Sequence, residues 1–511
     1  MKMRLLPNPK WASTTLGLLL VFALSAAGYP VTVLLAPGNA GSVISRDFIG
    51  LSFEVALLLP QDGKYYFRSD NTDLINLFHT LGIKHLRVGG NTADRDAHRL
   101  PSESDLDSFF AFAKAADVKV IYCLQLYQGD PHGVVKTAKY IMDHYAPLMD
   151  SFSIGQEPSA YPKLTGPDVR PDSERMGAAA EKYPYSAYRE AWKVFATDII
   201  AAAPGVRFCG PSVHNNGVWA REFMSDFGQS NHVVLVTEHL YPGGAGGRVP
   251  TPGIGIDRML AGDTMMTNSF PKAYARLYNS FVPLAVANGL PYRLEEVNNY
   301  FNGGATNVSN TFASALWGLD FLWWWAAHGA AGLDFHTGDR VAIGNNLQPS
   351  KYAAYYTTTN GYCVRPLGYG LKAFALGSHG QMIPAGISNS MNLNITAYAT
   401  HGYDKCFYVT LINKEHGIGA RSAEVAITSS QFFSGGGAMF LAASGGEVAA
   451  TTGVTLGGAE IKPDASWPGT WQKLISSNGA IAVEIPAATA AVVRLFVPPL
   501  SASEPQTHSS Q

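Results

Sequence analysis

Residues 72–90 read TDLINLFHTLGIKHLRVGG, and residues 104–126 read SDLDSFFAFAKAADVKVIYCLQL. Each opens on an amphipathic stretch, Thr72–Leu81 and Ser104–Ala116, whose apolar residues recur at helical spacing. Each then passes into a short apolar run of strand length, HLRVGG and KVIYCLQL. Working outward, the same alternation continues on both sides. Strand candidates end at Phe53–Glu54 (DFIGLSFE), Gly89–Gly90, Leu124–Leu126 and Gly155–Glu157 (SFSIGQE). Four more end near Pro211 (RFCGP), Tyr241 (VVLVTEHLY), Val297 (YRLEEV) and His336 (GLDFH), with further amphipathic stretches at Tyr185–Ala203 and Thr311–His328. Eight such units in roughly 300 residues predict an α/β fold, a (β/α)8 TIM barrel, over residues 46–354. A doubly wound sheet is the competitor, but the Gly-rich phosphate turn it often carries is missing.

After residue 355 the texture changes. Segments such as Cys406–Ile412, Glu424–Thr428, Ala438–Ala442 and Ala480–Pro486 alternate apolar and polar residues between Gly- and Ser-rich turns. They predict a C-terminal β-sandwich over 355–499, which the strand-like residues within 29–45 join from the other end of the chain. The polar tail 500–511 reads as disordered. Residues 1–28 read as a signal peptide: Lys2, Arg4 and Lys10 precede an apolar core, Leu16–Leu24, and small residues follow at Ser25–Ala27. That core is short for a membrane span, so the expectation is a secreted or periplasmic protein with no stable membrane partner. The run Trp323–Trp324–Trp325 reads as core packing of a barrel helix rather than a sugar platform.

Composition narrows the function classes. The 511 residues are 47% hydrophobic and only 15% charged, enough for a large core. With 37 basic against 39 acidic residues, no electrostatic footprint for nucleic acid is present. Cys123, Cys209, Cys363 and Cys406 lack the short spacings of zinc or redox sites, so no metal is expected. Cys363 and Cys406 are candidates for a disulfide outside the cytoplasm, a pairing the sequence leaves open.

Catalytic groups of such a barrel gather at the C-terminal ends of its strands. There stand Glu54, Arg87, Asn91, Gln156, Glu157, Glu238, His239, Tyr241, Glu295, Glu296, Asp334 and His336. Two carboxylates on the fourth and seventh strands would lie about 5 Å apart, the separation of a retaining glycosidase. One carboxylate raises its neighbour's proton affinity, and Arg87 would keep the other ionised. Glu157 ends the fourth strand; on the seventh, strand parity leaves Glu295 and Glu296 both open.

The ordered segments GLSFE (50–54), LRVGGN (86–91), IGQEP (154–158), HLY (239–241), EVNNYFNGG (296–304) and NTFASALWGLDF (310–321) resemble glycoside hydrolase family 79. That is the heparanase and β-glucuronidase family, and the resemblance spans nearly all of residues 31–499. It implies a barrel with a β-sandwich, Glu157 as proton donor and Glu296 rather than Glu295 as nucleophile. It further implies that Tyr241 hydrogen-bonds the nucleophile. Glu54 and Asn91 would bind sugar hydroxyls, and Gly303 would offer a backbone N–H, with His239 and His336 in support. No cofactor is implied, and the partner is a carbohydrate.

Three departures stand out. Gln156 replaces the family's Asn before the acid/base, a longer amide that still reaches a sugar 2-hydroxyl. Phe301 stands where glucuronidases place a Tyr for the substrate carboxylate, and Arg340–Asn346 contains no second such Tyr. The expectation is therefore an exo-acting retaining β-glycoside hydrolase, β-glucuronidase-like. A neutral-sugar β-glucosidase or β-xylosidase is the alternative, followed by a non-catalytic carbohydrate-binding protein and by transglycosylation.

Overall fold

A computed structural model of the chain describes residues 29–94, 99–161, 183–262, 266–339, 349–389 and 392–498. The leader, the tail after 499 and the stretch Arg340–Asn346 lie outside the described residues. Eight parallel strands close into a barrel: β1 (Ile49–Glu54), β2 (His85–Gly89), β3 (Lys119–Leu124), β4 (Met149–Ile154), β5 (Phe208–His214), β6 (Val233–Leu240), β7 (Tyr292–Val297) and β8 (Gly332–His336). Nearly all their residues are buried, on both faces, which is why they read as apolar runs rather than alternating ones. Helices at Thr72–Leu81, Glu103–Ala116, Tyr185–Ala202 and Phe312–Ala327 occupy the predicted amphipathic stretches. Ser102 starts the second of these with a capping box closed by Asp105. Among the described residues, no helix is long and apolar enough to cross a membrane.

The barrel interior is charged at two levels. Low in it, Asp334 accepts from His85 Nδ1 at 2.6 Å and pairs with Arg293 Nη1 at 3.2 Å. Asp334, expected at the mouth, therefore belongs to this lower layer. At the mouth, Arg87 fills the space left by Gly89, where an added Cβ would lie 2.5 Å from the guanidinium nitrogens.

The sandwich pairs a five-stranded with a seven-stranded sheet. In the first, Tyr29–Leu35 lies between Ala385–Asn389 (antiparallel) and Ala423–Ser429 (parallel), so the N-terminal strand is part of the sandwich. In the second, Thr489–Phe496 is covered on both faces. Ala491, Val493 and Leu495 face the sandwich core, while Ala490 and Val492 pack into the barrel's cluster. Between the two units lie a ribbon, Tyr355–Thr358 with Gly361–Val364, and a helix, Pro366–Gly377, in a region expected to be all strand. Trp323 and Trp325 are fully buried, as core packing requires, and Trp324 stacks on His328. All four cysteines are free, so Cys363 and Cys406 are not bridged.

Candidate active site

The C-terminal ends of the barrel strands converge on one cluster. Glu157 follows β4, with a left-handed backbone (φ 47°, ψ 55°) fixed by its N–H donating to Ser212 O at 3.0 Å. That conformation is costly for a residue with a Cβ and is typical of functional positions. Its carboxylate accepts from, or donates to, His239 Nδ1 at 3.0 Å. Glu296 on β7 receives Arg87 Nη1 at 2.7 Å, Gln156 Nε2 at 3.0 Å and the Tyr241 hydroxyl at 3.0 Å. The second Arg87 nitrogen binds Gln156 Oε1, which fixes the direction of that amide. A carboxylate oxygen of Glu157, one of Glu296 and a ring nitrogen of His239 all lie within 4.8 Å of one another.

Such a triangle has the composition of a cation site. Here Arg87 and His239 already supply positive charge to both carboxylates at hydrogen-bond distance, so the chemistry of the donor set favours acid–base work.

Electrostatics set the protonation of the cluster. Burial raises the Glu296 carboxyl, but His336, His239 and Arg87 outweigh it and hold it far below the usual carboxylate range. Burial opposes a charged His239, yet Glu296, Glu157 and Glu295 lift it to about 9. Glu295 is fully buried beneath that ring, 3.5 Å from His239 Nε2, and is held ionised by His239 and Arg87 against its burial. A third pair forms opposite: Glu54 accepts from Thr92 N at 2.8 Å and Thr92 Oγ1 at 2.7 Å, with His336 Nε2 at 3.6 Å. His336 in turn contacts Ser52 Oγ through Nδ1 at 3.1 Å.

Of the residues singled out in the sequence, Glu54, Arg87, Gln156, Glu157, His239, Tyr241, Glu295, Glu296 and His336 meet in this cluster. Asn91 opens the turn 91–93 beside Glu54 and is half-buried. Phe301 packs edge-on against His214 and Tyr241 at 5.6 and 6.1 Å. Gly303, at φ 74°, has no heavy atom within 4 Å of where a Cβ would stand. Glu238 is not part of the cluster: it faces the start of helix Gly217–Phe227, accepting from Asn216 N at 3.2 Å, and burial pushes its carboxyl up to about 8.

Two residues escaped the sequence reading. Asp94 accepts from Leu126 N at 2.7 Å, Tyr127 N at 3.1 Å, Gln156 N at 2.6 Å and the Tyr161 hydroxyl, tying the loops after β2, β3 and β4 together under Gln156 and Glu157. Tyr352 is buried with its ring 6.2 Å from Tyr241 and 6.1 Å from His336, and lies in the field of Glu296. Asp94 sits in the same turn as Asn91 and was within reach of the motif; Tyr352 follows no strand and gave no signal.

No protein-family model matches the chain. A β-glucuronidase of Aspergillus niger is 34% identical over 113 residues, a segment spanning 22% of this chain and 19% of that protein. A 4-O-α-L-rhamnosyl-β-D-glucuronidase from Fusarium oxysporum, solved as its Rha-GlcA complex, superposes with a TM-score of 0.66 at 18% identity, over 90% of this chain and 99% of that one. The family 51 arabinofuranosidase of Xanthomonas axonopodis pv. citri gives 0.63 at 12%, covering 92% and 100%. The family 44 endoglucanase of Clostridium thermocellum gives 0.61 at 12%, again covering 92% and 100%. At these identities the likeness is one of fold, and the chain has the architecture of a (β/α)8 barrel carrying a β-sandwich.

Proposed function

We propose that the protein is a retaining glycoside hydrolase in which Glu157 is the acid/base and Glu296 the nucleophile. The observation that carries this reading is the approach of the two carboxylates to within 4.8 Å at the ends of β4 and β7. Inverting enzymes keep their carboxyl groups about 6.5–9.5 Å apart to admit a water, whereas retaining ones hold them near 5 Å. Glu296, ionised and oriented by Arg87, Gln156 and Tyr241, attacks the anomeric carbon while protonated Glu157 donates to the leaving oxygen. Water activated by Glu157 then cleaves the glycosyl ester and returns the proton. Gln156 lies beside Glu296, where its amide reaches the sugar 2-hydroxyl, and Glu54 accepts hydroxyls on the far side of the ring.

The finer reading is an exo-acting β-glucuronidase. The likeness to two glucuronidases supports it, and so does Tyr352, which brings a phenol to the site a few residues beyond the stretch where one was missing. Phe301 favours the second reading, a neutral-sugar β-glycosidase, because its ring offers no donor to a carboxylate; each such lost bond is worth about 1.5–3 kcal/mol.

Hydrolysis of nitrophenyl β-glucuronide, β-glucoside and β-xyloside, paired with intact-mass analysis after a fluorosugar inactivator, tests the assignment. The expected outcome is turnover of one substrate and a single adduct on Glu296 that Glu296→Gln abolishes. An adduct on Glu295 would move the nucleophile by one residue. No turnover and no adduct with any sugar would overturn the enzyme reading in favour of a binding protein.

A further inference from the structure

Two consecutive side chains, Gln156 and Glu157, enter the active site together. Neighbours on a regular strand face opposite sides of the sheet. Here Gln156 Nε2 donates to Glu296 at 3.0 Å, while the Glu157 carboxylate meets His239 Nδ1 at 3.0 Å in the same cluster. The backbone achieves this by leaving the strand after Ile154, turning at φ 92° on Gly155 and at φ 47° on Glu157. A left-handed residue that carries a Cβ costs about 1–3 kcal/mol and persists only where its surroundings hold it in place.

Three acceptors hold this turn. Gly155 N donates to Leu124 O at 2.9 Å, Glu157 N donates to Ser212 O at 3.0 Å, and Gln156 N, between them, donates to Asp94 Oδ2 at 2.6 Å. The first two are carbonyls of β3 and β5, the strands that flank β4 in the barrel. The third is a side chain, and it comes from the loop after β2. Asp94 is only 7% exposed, and its other oxygen accepts from Leu126 N at 2.7 Å and Tyr127 N at 3.1 Å in the loop after β3. The Tyr161 hydroxyl also reaches Asp94 Oδ2, and it lies 2.9 Å from where a Cβ on Gly155 would stand. Three of these four partners are backbone N–H groups, which can only donate. The carboxylate is thus fixed from the β3 side and cannot drift away from Gln156 N.

We infer that Asp94 is a positioning residue of the reaction: by holding Gln156 N it sets the peptide from which both the Gln156 amide and the Glu157 carboxyl reach the substrate. The inference rests on the glycosidase reading and adds a residue to its machinery. Asp94 acts only through those two side chains, so its loss falls unevenly on different substrates. Proton donation by Glu157 matters most where the leaving group is poor and little where it is good. The Gln156 contact matters only for a sugar that carries its 2-hydroxyl. Displacing such groups by as little as 1 Å costs up to about a hundredfold in rate on substrates that need them.

The test uses the full chain and the glycosides of whichever sugar the wild type prefers, compared by kcat/KM in two pairs. One pair varies the leaving group (phenyl against dinitrophenyl glycoside), and the other varies the sugar (nitrophenyl glycoside against its 2-deoxy analogue). Asp94→Asn is the main variant: its amide keeps one acceptor oxygen but sets an N–H group against either Gln156 N or the Leu126 and Tyr127 N–H groups. Asp94→Ser, which leaves room for a water to satisfy the freed donors, is the second variant should the first not fold. Thermal unfolding identifies the variant that is folded when assayed.

The expected result is a fall of about tenfold in both ratios, phenyl over dinitrophenyl and 2-hydroxy over 2-deoxy, in the folded variant. A merely structural role would lower the fraction of active enzyme, reduce every kcat/KM by one factor and leave both ratios where they were. If either ratio keeps its wild-type value, Asp94 does not place that side chain and the inference is overturned. No turnover of any of these glycosides by the wild type would sink the glycosidase reading and the inference with it, whereas wild-type turnover with an unmoved ratio sinks the inference alone.

Discussion

Gly90→Ala is the substitution whose effect the site geometry specifies most closely. Gly90 sits at φ 72°, ψ −177°, a region of backbone space that is essentially reserved for glycine. A Cβ there would stand 2.6 Å from Glu54 Oε1, inside any real contact distance. Glu54 cannot step aside freely, because it is 2% exposed and held by Thr92 N, Thr92 Oγ1 and His336. The strained backbone costs about 1–3 kcal/mol. Displacing the carboxylate from its charged hydrogen bonds costs about 1.5–3 kcal/mol more. The expected destabilisation is therefore about 2.5–6 kcal/mol. Gly303→Ala is the comparison, since its φ of 74° also disfavours a side chain but its Cβ would meet nothing within 4 Å; about 1–2 kcal/mol is expected. Urea unfolding of both variants at constant pH reads the difference, with kcat/KM as the second measure because Glu54 borders the sugar site. Equal urea midpoints for the two variants would refute the claim that Glu54 is what Gly90 makes room for.

Two further expectations concern charge. His239 rises from 6.5 to about 9 on folding, so its stabilising contribution is complete below pH 6.5 and is lost as pH climbs through 9. At 1.36 kcal/mol per unit this amounts to about 3 kcal/mol, and unfolding free energies from pH 6 to 10 should fall by that much more in the wild type than in His239→Gln. At the join between barrel and sandwich, Asp320 accepts from buried Lys414 Nζ at 2.6 Å, Thr396 Oγ1 at 2.8 Å and the Tyr398 hydroxyl at 2.9 Å. Asp320→Ala strands that ammonium and should cost about 3–5 kcal/mol, read as a lower melting temperature and faster proteolysis between the two units.

The barrel was legible because its strands are buried on both faces and its helices on one, so the two patterns differ in length and period. The helix Pro366–Gly377 was not, and its sequence PLGYGLKAFALG shows why. Three glycines depress helix propensity and read as turns. Two of them instead permit close packing: a Cβ on Gly370 would lie 2.5 Å from Ala315 O, and one on Gly368 would lie 2.7 Å from Ala354 O. Asp94 and Tyr352 were missed for a related reason. Their value lies in contacts across 32 to 67 residues (Asp94) or in proximity to Tyr241 and His336 (Tyr352), and local pattern carries no trace of such contacts.

The seventh strand presents a different case, in which the sequence left two carboxylates open because the backbone breaks the rule that would have chosen between them. In a regular strand Glu295 and Glu296 would face opposite sides. The register of β7 slips against β8 between Leu294 and Val297, and against β6 between Glu238 and His239, as at a β-bulge. Both carboxylates are thereby drawn into the barrel, Glu296 toward Arg87 and Tyr241, Glu295 beneath His239. The cluster then holds three cations, Arg87, His239 and His336, against three anions, Glu54, Glu295 and Glu296, every one of them buried. Glu157, the more exposed carboxylate at its edge, gains or loses its proton against a balanced background. Glu295→Gln removes one anion without changing shape and leaves the cluster positive, which favours the ionised form of its neighbour. The alkaline limb of the kcat/KM profile, which reports the general acid, should therefore move to lower pH in Glu295→Gln. A limb that stays in place would mean that Glu295 holds the His239 ring but has no part in setting the charge that Glu157 meets.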